Sequence, residues 1–195
     1  MQNVSSNKEK QKESKIWKRT VQFLSWLAYN YNRLHVEGLE QIPEEGNPAL
    51  ICVNHPGLLD PAYLHLPILK EKKRWMHWLG WAGLARSNNK LVKWIVGNVG
   101  SMTFVDEHEG KAKSKKESGK VFDELSQKLA NGHLVGLFPE GVNHKFQDHQ
   151  KPYHFRTGAI RLAARNQVPI IPTAIMGTHR VWVTFGEIKK ARFHI

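Results

Sequence analysis

Apolar positions in this chain follow two kinds of pattern, and their alternation points to the architecture. Between Ile16 and Leu34 they recur with helical spacing. Trp17, Val21, Leu24, Ala28 and Tyr31 share one stripe, with Ile16, Phe23 and Leu27 on the same side and Lys18, Gln22, Ser25, Asn32 and Arg33 opposite. The spacing predicts an amphipathic helix over 16–34. Its apolar face either packs on the protein's own core or lies in a lipid interface with basic residues toward the headgroups. Beyond it, short apolar runs at 49–53 (ALICV), 101–105 (SMTFV), 134–138 (LVGLF) and 168–175 (VPIIPTAI) predict strands, with a shorter one at 34–36. Runs without strict alternation suit strands covered on both faces.

Helical segments fall between these strands. Asp60-Pro61 reads as an N-cap followed by proline at the first helical position, opening a helix through AYLHL that stops before Pro67. Trp75, Trp78, Leu79 and Ala82 share a helical stripe in a tryptophan-rich segment that also holds Trp81 and Trp94. A basic run (Lys111, Lys113, Lys115, Lys116, Lys120) leads into a helix ending near Asn131-Gly132, and 157–166 is helical again. Strands alternating with helices predict a single α/β domain with a largely parallel central sheet flanked by helices, preceded by the N-terminal amphipathic helix. The divisions expected are a disordered basic tail over 1–15, a membrane-associating helix over 16–34, and a catalytic domain over 35–195. A new strand pattern starts at His194-Ile195, so the domain is expected to lack its last strand.

Composition narrows the class. No stretch of the 195 residues approaches the ~20 apolar positions of a membrane-spanning helix. The polar, basic N-terminus has no apolar run of the secretory kind. The one cysteine, Cys52, excludes an internal disulfide and suits a reducing compartment; set in an apolar run, it reads as core rather than nucleophile. A net charge of +12 favours polyanions: nucleic acid, anionic lipid or an acidic carrier protein. Seven tryptophans against four tyrosines tilt this toward a membrane surface, since indole concentrates where one end is apolar and the other wet. A purely non-enzymatic basic module is the rival of another class. His144, His149 and His154, five apart, match no common zinc signature, so no metal is expected.

Two stretches have the makings of chemistry. In 54–60 (NHPGLLD), His55 and Asp60 would stand about 140° apart on one straight helix, so they meet only if His55 sits in a loop and Asp60 in the first turn beyond it. A carboxylate holding an imidazole in one tautomer makes a general base suited to activating an alcohol. The other stretch, 138–141 (FPEG), puts Glu140 and Gly141 at the end of an apolar strand, where open α/β sheets place ligands.

Taken in order, NHPGLLD (54–60), GSMTFVD (100–106), FPEG (138–141) and VPIIPTAI (168–175) resemble the four blocks of the glycerolipid acyltransferase family, which includes glycerol-3-phosphate and 1-acylglycerol-3-phosphate acyltransferases. VEGLEQIP (36–43) and FRTGAIRLA (155–163) are similar too, so the likeness covers nearly all of 16–195. The resemblance implies an O-acyltransferase of phospholipid synthesis, with no cofactor beyond its acyl-CoA or acyl carrier protein donor. His55 would take the proton of an acceptor hydroxyl attacking a thioester, Asp60 would orient it, and amides following His55 would stabilise the oxyanion. Glu140 and Gly141 would line the acceptor site. It also implies a peripheral or monotopic enzyme at the cytoplasmic face of a membrane, with a glycerolipid acceptor and no nucleic acid partner. The chain departs from the pattern after Phe104-Val105, where Asp106-Glu107 stand in place of an arginine, and after FPEG, where Val142-Asn143-His144 replace Thr-Arg-Ser. Those arginines are associated with the acceptor phosphate. Arg156 and Lys145 are the remaining candidate anion contacts, and an acceptor without a terminal phosphate is the alternative.

Overall fold

The computed structural model describes residues 15–57, 59–81, 86, 88, 101–105, 111–141 and 155–178. It holds five strands: β1 (Ala49–Val53), β2 (Met76–Trp81), β3 (Ser101–Val105), β4 (Leu134–Leu137) and β5 (Ile170–Thr173). All pair in parallel, in the order β3-β2-β4-β1-β5. Four helices flank them: α1 (Lys15–Trp26), α2 (Asp60–Lys72), α3 (Lys111–Ala130) and α4 (Gly158–Asn166). The α/β class and parallel sheet are as the sequence predicts. Tail residues 1–14, the segment holding Trp94, Lys145, the three spaced histidines and His194-Ile195 lie outside the described residues.

The pleat sorts the core into two layers. Ala49, Ile51 and Val53 of β1, with Met76, Trp78 and Leu134, pack beneath Tyr63, Leu64, Leu66 and Ile68 of α2. Leu50, Val135 and Leu137 pack on the other face with Leu125 and Leu129 of α3 and Ala159, Leu162 and Ala163 of α4. A strand covered twice must be apolar on both sides, which is why β1 reads as an unbroken run. β5 is an edge, and its Pro172, opposite Cys52, is the residue an edge strand tolerates because no ladder donor is needed there.

Several local expectations are corrected. The Trp75–Ala82 stripe is not a helix: Met76–Trp81 is a strand paired on both sides, and that pairing overrides the local spacing. α2 runs through Pro67 to Lys72, carried by the burial of Leu64, Leu66 and Ile68. Leu34–Val36 forms no strand; Arg33 turns the backbone left-handed (φ 52°), and Leu34 drops into the core. The first helix gives way at Leu27–Tyr31 to a π-helical turn, in which Asn32 N–H reaches Leu27 O. Its faces depart in part from those expected. Ser25 and Asn32 are buried, while Phe23 (60% exposed) and Trp26 (55%) face outward, stacked at 6.3 Å. Val21, Leu24 and Ala28 pack on the protein's own core.

At the amino edge of the sheet, Arg74 fastens three segments. Its guanidinium donates to Pro43 O (2.7 Å), Asn47 O (2.9 Å) and Gly132 O (2.6 Å). Burial lowers its pKa, and Glu45 and Glu44 act in the opposite sense.

Candidate active site

The site lies at the carboxyl edge, where β1 and β4 end side by side. Their register pairs Cys52 with Leu137, so three residues on, His55 and Glu140 leave the sheet together. These two strands are adjacent, yet β1 leads away across β4 to β2 while β4 leads back across β1 to β5. Such a switch point opens the crevice in which α/β sheets bind ligands.

Asn54 lets the chain turn here. Its Nδ2 donates to Ile175 O (3.0 Å) and its Oδ1 accepts from Ile175 N–H (2.7 Å), extending the β1–β5 pairing by a side chain. The backbone is thereby freed to bend at His55. Asp60 meets it from the start of α2. His55 Nδ1 lies 2.8 Å from Asp60 Oδ2, and that oxygen also accepts the Gly57 N–H at 2.7 Å. Asp60 is thus the first residue of α2 rather than its cap: the cap position is Leu59, and the carboxylate turns back to the loop. Because an ionised carboxylate only accepts, the imidazole proton is fixed on Nδ1 and Nε2 keeps its lone pair. The Asp60 side chain is fully buried, while that of His55 is 16% exposed, so the carboxylate is enclosed and the imidazole is open on one side.

The imidazole has an aromatic floor. Its ring stacks on Phe138 at 3.8 Å and 14°, and Phe138 stacks on Trp78 at 5.4 Å and 16°. This row fixes the ring plane and would present π density to an imidazolium. A Cβ at Gly136 would lie 2.7 Å from the Trp78 ring, so glycine there makes room for the indole. Glu140 closes the other side, its Oε2 accepting the His55 N–H at 3.2 Å.

Arg156 lies against the FPEG bend. Its N–H donates to Pro139 O at 2.8 Å, and its guanidinium crosses Gly141 so closely that a Cβ there would be 2.6 Å from Cζ. Gly141 also has φ +73°, which favours glycine on its own account. The structure therefore gathers His55, Asp60, Glu140, Gly141 and Arg156 at one edge; Lys145 lies outside the described residues. Of the backbone positions near His55, Pro56 has no N–H, and the amides of His55 and Gly57 are engaged by Glu140 and Asp60. Burial pushes the Cys52 thiol up to about 11, leaving it protonated and a poor nucleophile at neutral pH.

Residues 33–176 match the family model described as Acyltransferase. The chain belongs to the acyltransferase family. Its relatives include the 1-acyl-sn-glycerol-3-phosphate acyltransferase alpha of Mus musculus, 31% identical over 83% of this chain and 50% of that protein. The chloroplastic 1-acyl-sn-glycerol-3-phosphate acyltransferase LPAT1 of Arabidopsis thaliana is 25% identical over 82% of this chain and 40% of that one. An uncharacterized Mycobacterium tuberculosis protein is 26% identical over 86% and 42%. The chain spans half or less of the length of each of these relatives. The resemblance to glycerolipid acyltransferases drawn from the four blocks is thus supported by whole-chain likeness. As a member of this acyltransferase family, the chain carries these blocks on strands of one sheet: the first at the end of β1, the second on β3, the third after β4, and the fourth on β5.

Residue patterns missed three supports of this site. Trp78 gave no local signal, because its place under Phe138 depends on β2 lying beside β4. Asn54 and Gly57 stood within the first block, but their partners, Ile175 and Thr178, are more than 100 positions away.

Proposed function

We propose that this acyltransferase transfers a fatty acyl group from a thioester, acyl-CoA or acyl carrier protein, to a hydroxyl of a glycerolipid acceptor. The observation that carries the reading is the His55–Asp60 pair, with the carboxylate buried and the ring open. His55 Nε2 takes the proton from the acceptor hydroxyl while its oxygen bonds to the thioester carbonyl carbon. The tetrahedral adduct then collapses, the C–S bond breaks, and the leaving thiolate recovers the proton from the imidazolium. No acyl-enzyme and no cofactor are required. Base assistance of this kind contributes ~10²–10⁴-fold.

Arg156, held across Gly141, is the anion contact in this reading, and a guanidinium suits a phosphate oxygen. The names of the mouse and plant relatives favour a 1-acylglycerol-3-phosphate acceptor. The two missing arginines favour a second reading, an acceptor with no terminal phosphate. Outward-facing Phe23 and Trp26 and the +12 charge support peripheral docking on an anionic membrane, at its cytoplasmic face. Among the described residues no helix is long and apolar enough to cross one.

Purified protein incubated with labelled acyl-thioesters and an acceptor panel, read by lipid mass spectrometry, tests this. Acylated product is expected, and His55→Ala should remove it while the melting curve stays in place. Full transfer by His55→Ala would refute the base. Equal turnover with and without the acceptor phosphate would favour the second reading.

A further inference from the structure

Asp60 engages only one of its two carboxylate oxygens. Oδ2 takes both the His55 ring and the Gly57 amide, whereas Oδ1 is buried without a hydrogen-bond partner. A buried acceptor left bare costs about 1–3 kcal/mol, more when charged, so this oxygen asks for a donor.

A donor arrives from the far end of the domain. Beyond β5 the backbone is clamped at Ile175 by both ends of the Asn54 carboxamide. Three residues later comes Thr178, 1% exposed, whose Oγ1 is likewise buried and without a partner. The two residues that carry them meet at one glycine, Asp60 by its bare oxygen and Thr178 by its backbone carbonyl. A Cβ at Gly57 would lie 3.1 Å from Asp60 Oδ1 and 3.0 Å from both the carbonyl carbon and the oxygen of Thr178. One group accepts only, and the other carries a hydrogen to give. In the described rotamer the hydroxyl does not bond Oδ1; one side-chain torsion directs it, and the glycine leaves no side chain in its way.

We infer that Thr178 is a positioning residue for the His55–Asp60 pair, its hydroxyl rotating about χ1 to donate to Asp60 Oδ1. With both oxygens held, the carboxylate plane cannot swivel, and the Nδ1–H of His55 has a single acceptor direction before any reactant arrives. Thr178 touches neither donor nor acceptor; it acts through Asp60. The consequence for rate rests on the acyl-transfer reading, whereas the hydrogen bond itself does not. The inference also gives the fourth sequence block a task, since β5 and its continuation carry this donor to a loop more than 100 residues earlier in the chain.

The test uses Thr178→Val, which keeps the shape and removes the hydroxyl, and Thr178→Ser, which keeps the hydroxyl, both in the full chain. Each is assayed for kcat and for KM of both substrates, and the Nδ1–H proton of ¹⁵N-labelled His55 is followed by NMR. Thr178→Val should lower kcat by about tenfold with both KM values within twofold, because alignment rather than binding is lost. Its Nδ1–H resonance should move, and Thr178→Ser should restore both rate and resonance. An unchanged kcat and resonance in Thr178→Val overturns the inference, and so does equal impairment of Val and Ser, which would assign the effect to the methyl group. Should Thr178→Val not fold, Thr178→Ala reads the same loss of hydroxyl. If the wild-type chain transfers no acyl group, the acyl-transfer reading fails, and the resonance alone decides whether Thr178 holds Asp60.

Discussion

Arg156 and Gly141 form a unit in which one residue makes room for the other. With the guanidinium crossing Gly141, two substitutions should act on the same quantity. Arg156→Ala is expected to raise KM for a phosphate-bearing acceptor roughly tenfold with kcat held, because a charge-assisted contact made equally in ground and transition states is lost. Gly141→Ala should raise KM in the same sense by displacing the side chain. It should also cost about 1–2 kcal/mol of stability from an L-residue at positive φ. Acceptor kinetics with and without the phosphate, alongside melting curves, check both.

Among the elements, the row Trp78–Phe138–His55 links sheet packing to chemistry. Gly136→Ala would bring a methyl within 2.7 Å of the Trp78 ring, an overpacking that costs ~1–3 kcal/mol. The strain should pass through Phe138 to the His55 imidazole, so activity should fall with stability if His55 is the base proposed above. Trp78→Phe removes the benzo atoms that collide, and the double variant is expected to be more stable than the sum of the singles. Urea titrations of the four proteins measure this coupling. Strands were legible from sequence where an apolar run stands by itself: ALICV and SMTFV have the observed bounds. Met76–Trp81 was not, because Trp75, Trp78 and Leu79 mimic a helical stripe until β3 and β4 claim the segment. The inward turn of Asn32, past the end of α1, was hidden for a similar reason. Asn32 reads as a surface residue, yet it donates to the hydroxyl of Tyr63 at 2.6 Å inside the protein. His55 and Asp60 were legible because their spacing needs only a loop and a helix start; Thr178 was not, because nothing local links it to Gly57.

At the scale of the whole molecule, two features govern stability. Arg74→Ala would strip donors from three backbone carbonyls at the amino edge, one of them fully enclosed, for an expected loss of about 2–4 kcal/mol in denaturant titration. Alkali should act through buried acids. Burial pushes the Tyr63 phenol from its ordinary 10.0 up to about 12, and the Cys52 thiol from 9.0 up to about 11. Between those values the unfolded chain has released protons that the folded chain still holds, so stability falls as pH rises. It is fully present below about 9 and is lost as pH climbs through about 11 and then 12, with Tyr63 alone contributing a slope of ~1.4 kcal/mol per pH unit above 10. Cys52→Ala should flatten the lower part of this decline in midpoints measured from pH 8 to 11.

The strand order carries a further consequence for how the protein is made. β1 leaves the ribosome more than 80 residues before its neighbour β4, and β5 later still. A nascent chain that has emerged only as far as α3 therefore carries its most apolar strand with both edges open, while His55 has neither its Phe138 floor nor its Glu140 latch. Such late closure makes for slow maturation and a sticky intermediate, so this enzyme should lean on chaperones until β4 and β5 have been synthesised.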